Sequence, residues 1–159
     1  MKLSLNPLGL DGKRRVHTLG AATTDVNWQR LWVSISEKRW SSLAVLATDA
    51  GIAADRVAKN FVTAGRQHGS RSIRLLHAEG INFSDTQTLI EQIVAMTDRG
   101  ELVVIVLDPV ANNPAVIPIV RVTSGVLLVA RLGASRLSSA RSSVNALGHD
   151  RVFGSVVVR

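Results

Sequence analysis

The chain has no cysteine and no tyrosine. Without cysteine it forms no disulfide and holds no metal through thiolates. Its 4 histidines fall into no spaced ligand set, so no histidine metal centre is indicated either. Aromatic residues make up only 4% of the chain. That is too few for a platform that stacks on bases, and it argues against nucleic acid as a partner. No apolar run reaches the roughly 20 residues of a membrane-spanning helix. The N-terminus lacks the apolar segment of a secretory signal, which points to a cytoplasmic protein. There is no Gly-x-Ser-x-Gly elbow and no serine with a convincing His/Asp companion. These absences lead us to expect no catalytic residue, no bound metal and no cofactor.

What is present is an apolar frame. At 159 residues, 46% of them hydrophobic, the chain is long enough for one domain with a full core. The formal net charge is +7. A basic balance suits nucleic acid, an anionic membrane surface or an acidic protein face. The charge is spread along the chain apart from Lys13-Arg14-Arg15. Residues 1–24 have no sustained period and are broken by Pro7, Gly9, Gly12 and Gly20, so they read as a flexible N-terminal arm.

The chain is organised around residues 42–64. Ser42-Leu-Ala-Val-Leu-Ala-Thr48 reads as a buried strand, residues 49–56 as a small-residue turn, and Val57, Phe61 and Ala64 as one face of a helix. In a nucleotide-binding protein such a turn cradles phosphate through backbone N–H groups and a helix N-terminus. The working form is Gly-x-x-x-x-Gly-Lys-Ser/Thr. Here there is one glycine, Gly51; Ala54 stands in place of the lysine, and Asp55 and Arg56 follow it. Asp55 is expected to bring a carboxylate close to where phosphate would dock.

Before this unit, Asp25 is a candidate N-cap for a helix carrying Trp28, Leu31, Trp32 and Ile35 at helical spacing. That stripe either packs on the sheet or forms a protein interface, where tryptophan is enriched. After the unit, strands are predicted over 72–78, 102–107, 125–130 and 152–158. Ser84 or Asp85 is expected to cap a helix carrying Leu89, Ile93, Val94 and Met96. Pro114 opens a short helix that Pro118 limits. Ser135 caps a last helix to about Leu147. Alternating strands and helices predict an α/β, Rossmann-like, three-layer fold of residues 25–159, with a mainly parallel sheet of about five strands and helices on both faces. Ligands of such sheets bind outside the carboxyl ends of the strands. The loops there bring His77, Glu79 and Asp108 into view as a residual metal or phosphate edge. As a strand-ending residue before Pro109, Asp108 also has a plain structural reading.

The frame resembles a known family. Val103-Val-Ile-Val-Leu-Asp-Pro-Val-Ala, Ser124-Gly-Val-Leu-Leu-Val-Ala-Arg-Leu-Gly-Ala and Arg151-Val-Phe-Gly-Ser-Val-Val-Val are similar to the second half of bacterial polysaccharide-biosynthesis tyrosine autokinases, in the MinD/ParA-like branch of P-loop ATPases. Val57-Ala-Lys-Asn60 matches the end of their first helix, and Trp28-Gln-Arg-Leu-Trp-Val-Ser-Ile lies where they carry an oligomerising helix. The departures fall on chemical positions. The loop places Gly51, Ala54, Asp55 and Arg56 over a Walker motif that has lost its lysine and hydroxyls. His77-Ala-Glu79 replaces an acidic strand end, and Asp108 comes two residues late. The resemblance implies a non-catalytic pseudo-ATPase or pseudokinase domain. It would bind or regulate an exopolysaccharide synthesis or export machine at the inner membrane, or a true ATPase, either alone or as a homo-oligomer. The alternative is a divergent MinD/ParA-like ATPase or positioning factor using its basic surface on membrane or DNA.

Overall fold

The computed structural model describes residues 3–4, 18–19, 26–69 and 71–159. Five parallel strands form the centre of one sheet: β3 (Ser42–Ala47), β4 (Ile73–His77), β5 (Leu102–Leu107), β6 (Gly125–Arg131) and β7 (Val152–Val158). Two short strands, β1 (Leu3–Ser4) and β2 (Thr18–Leu19), extend it antiparallel beyond β7. The order is β2-β1-β7-β6-β3-β5-β4. The rest of the 1–24 arm, its basic triplet and the Asp25 cap lie outside the described residues.

Why these segments are strands follows from their burial. Every residue of β3 and of β5 is buried. A strand covered on both faces has no polar side to display, so it reads as a continuous apolar run. Alternate residues then feed two cores. Leu43, Val45, Val104, Val106, Leu127 and Val129 face α1 (Val26–Ser36) and α2 (Ala54–His68). Ala44, Leu46, Val103, Ile105, Val126 and Leu128 face α3 (Phe83–Asp98), α4 (Val116–Val122) and α5 (Leu137–Leu147). The predicted three-layer α/β architecture is the observed one. Among the described residues no helix is long and apolar enough to cross a membrane.

The helix ends depart from the sequence reading. α3 starts two or three residues earlier than expected, with Asn82 as its N-cap rather than Ser84 or Asp85. Its buried side is Thr86, Leu89 and Ile93, while Val94 is 44% exposed. Val94 lies one residue past the stripe, and the 3.6-residue period turns it outward. Pro118 does not limit α4, which runs on to Val122. It sits in the first turn, where a missing N–H costs no helical hydrogen bond. The N-cap position of α5 is Arg136, not Ser135. Ser135 instead accepts the Arg131 backbone N–H at 2.8 Å.

The stripe Trp28, Leu31, Trp32 and Ile35 is buried inside the chain's own core. It is therefore not available as the interface that the sequence offered. Trp32 lies against Gly65 of α2 so closely that a Cβ there would overlap the indole ring. Gly125 plays the same part for Phe153, whose ring covers it where β6 and β7 shift register.

Candidate functional site

β3 is the central strand, and its following helix lies on the opposite face from those following its neighbours β5 and β6. Loops therefore diverge at its carboxyl end and leave a crevice, as open α/β sheets do at such a switch point. The cleft found there has a volume of about 390 Å³. Its walls come from Thr48 and Asp49 after β3, Asn112 after β5, and Ser138, Ser139 and Ser142 on α5.

Asp49 is the charged group of this cleft. The Thr48 hydroxyl donates to its Oδ2 at 2.9 Å and lies 3.0 Å from the Ser135 hydroxyl. Burial pushes the Asp49 carboxyl up. The hydrogen bonds of Ser139, Thr48 and Ser135, with the nearby Arg136 charge, outweigh that and hold it below the ordinary carboxylate value. A lowered pKa means that Asp49 stabilises the fold above the unfolded value of 3.8. That contribution disappears as pH falls through the folded value. Comparing the melting of Asp49→Asn with the parent tests this. The variant should melt lower at pH near 7, and the gap should close as pH falls below 3.8 and through the lower folded value. A gap that stays constant with pH would show that ionisation is not the cause.

The nucleotide-loop positions are not arranged around this cleft as a phosphate cradle. Gly51 has φ +79 and open space around it, so it serves a left-handed turn and not a close approach. Ala54 is buried in the core, 3% exposed, and its N–H is spent on Ile52 O at 2.9 Å. The Asp55 carboxylate, expected close to where phosphate would dock, is paired with a cation of its own helix. Lys59, one turn on, holds it with an Nζ–Oδ2 distance of 3.3 Å. Arg56 is exposed.

The second group of candidates also separates. His77 and Glu79 are exposed at the end of β4. Among the described residues no group of three or more His, Asp or Glu side chains comes together as metal ligands. Asp108 turns inward as a clasp. Its Oδ2 accepts the Gly80 backbone N–H at 2.6 Å and the Asn113 side-chain amide at 2.9 Å. The same Asn113 amide donates to Ile81 O at 3.0 Å, and its Oδ1 accepts the Ala115 N–H at 3.1 Å. The loop after β4 is thereby tied to the loop after β5 and the start of α4. The sequence reading gave Thr48 only as a strand end, Asp49 only as a residue at the carboxyl edge and Asn113 only as part of a helix start, and it passed over the α5 serines. The one available signal for Asn113 was an amide just before Pro114 at a helix start.

No protein-family model matches the chain, and no curated protein does. Among solved structures it is similar to the kinase domain of Escherichia coli tyrosine kinase ETK, with a TM-score of 0.69 and 12% sequence identity. The match covers 84% of this chain and 76% of that domain. At so low an identity the likeness is one of fold. The chain has an α/β, Rossmann-like fold similar to that of this bacterial kinase domain.

Proposed function

We propose that the chain is a non-catalytic domain of the P-loop type, a pseudo-ATPase or pseudokinase. Its role would be to bind and regulate a protein partner of an exopolysaccharide synthesis or export machine at the inner membrane. The single observation that carries this reading is the use made of the chemical positions. Ala54 belongs to the core, Asp55 is paired with Lys59, and Asp108 holds two loops together. A phosphoryl-transfer site needs a cation on the phosphates, a hydroxyl on the metal and a carboxylate free to hold that metal. Here the corresponding groups are spent on structure or replaced by apolar surface. The fold likeness to a tyrosine-kinase domain supports a related P-loop fold, and the sequence resemblance supports the correspondence of these positions and the polysaccharide setting.

The test is calorimetric titration of the purified protein with Mg-ATP and Mg-ADP at low salt. We expect no saturable binding at the loop 49–56. A dissociation constant in the low micromolar range that is lost on Arg56→Ala would overturn the proposal. It would favour a divergent MinD/ParA-like ATPase, with Arg56 folded over the loop as its phosphate cation.

A further inference from the structure

The edge of the sheet opposite the Asp49 cleft holds a larger hollow, about 560 Å³, between the end of α1, the end of α2 and the start of β5. Its lining includes Trp32, Trp40, Ser36, Arg39, His68 and Arg71. The volume lies within the range of small-molecule sites. The floor is aromatic: Trp32 and Trp40 meet edge to face with ring centroids 5.6 Å apart, and both are almost wholly buried. The rim is cationic. Arg39 and His68 are exposed and make no side-chain hydrogen bond or ion pair among the described residues. Among the described residues Arg71 gives only its Nε, to Gly100 O at 3.2 Å, which leaves both terminal nitrogens to donate. Among the described residues no carboxylate lines the hollow.

Arg39 is also the one described non-glycine residue with a positive φ, +51. Such backbone costs a bulky L-residue energy, and a strained position that carries an unpaired cation at a cavity rim calls for a use. The carbonyl ends of α1 and α2 face this same edge and carry partial negative charge. Two full guanidinium charges outweigh it. Guanidinium groups pair planar with carboxylate or phosphate oxygens, and indole edges favour a flat apolar body.

We infer that this amino-edge hollow binds a small anion, a phosphate or carboxylate, carried on an aromatic body. The edge where this fold class usually takes ligands holds the ionised Asp49, and anion recognition lies at the other end. This inference stands apart from the pseudo-ATPase reading.

Phenyl phosphate is a suitable probe, followed by the change in tryptophan fluorescence and confirmed by calorimetry, with inorganic phosphate and phenol as the two half-ligands. Wild type should bind phenyl phosphate saturably and each half-ligand at least tenfold more weakly. Arg39→Gly keeps the backbone conformation, because glycine tolerates positive φ, and should weaken binding about tenfold. Arg71→Gln should do the same, while Arg121→Ala, on the far face, should change nothing. Melting curves of the variants show whether they are folded. Absence of saturable binding in the wild type would overturn the inference, as would unchanged binding in both folded rim variants. Loss on Arg56→Ala instead would move the anion to the loop 49–56, overturning this inference and the pseudo-ATPase reading together.

Discussion

Trp32→Ala is expected to lower the unfolding free energy by about 3–5 kcal/mol, the usual cost of deleting a buried large aromatic. Domains of this size are stable by only about 5–15 kcal/mol, so the variant should stand near the limit of folding. Trp32 is 6% exposed and belongs to a triangle of aromatic rings, 5.6 Å from Trp40 and 5.0 Å from Phe61 between ring centroids, with Trp40 and Phe61 6.0 Å apart. The indole is also what locks α1 to α2, because it lies directly on the Gly65 backbone.

That contact makes a sharper test than the single substitution. Gly65→Ala alone inserts a methyl into the ring and should cost about 1–3 kcal/mol by overpacking. In the Trp32→Ala background the ring is gone and the methyl has room. There Gly65→Ala should become neutral or stabilising, since alanine is favoured over glycine within a helix by about 1 kcal/mol. Urea unfolding of the four proteins gives the cycle. Additive costs would show that Gly65 does not hold the space for Trp32.

Asp108→Ala is expected to cost about 1.5–3 kcal/mol, the range for hydrogen bonds to a charged acceptor. It removes the oxygen shared by the Gly80 N–H and the Asn113 amide. Asn113 then loses the partner that sets its orientation toward Ile81 and Ala115. Asp108→Asn, which retains an acceptor oxygen, should lose less than half as much. Two readings of Asp108 are separated by adding Mg²⁺. A clasp gives the same melting temperature with and without the ion, whereas a metal ligand gives an Mg²⁺-dependent rise that is absent from the variants.

Much of this fold was legible in the chain. β5 and β7 lie over the predicted residues, and β3, β4 and β6 differ from them only at their ends. The reason is that a strand buried on both faces declares itself locally, as an apolar run closed by turn residues. The stripe of α1 was legible for the same reason, since helical spacing is a local property. Its burial in the domain, and not at an interface, was not. Spacing shows which side of a helix is apolar and not what covers it. The helix caps were misplaced by one to three residues because several polar residues in a row satisfy the same capping pattern, and backbone geometry chooses among them.

The candidate site was legible by what is missing. That position 54 is alanine and that residues 49–56 hold a single glycine, Gly51, are facts of the sequence alone, and so is the absence of cysteine and tyrosine. The roles of the charged residues were decided by the tertiary structure. Gly80 and Asp108 are 28 residues apart, and Thr48 and Ser135 are 87 apart. The Arg39–Arg71 hollow likewise gathers residues from three separated segments. Apolar periodicity is repeated along the chain, so one sequence displays it. A hydrogen bond or a cavity rim depends on single side chains meeting across loops, and only the parallel sheet brings those loops to a common edge.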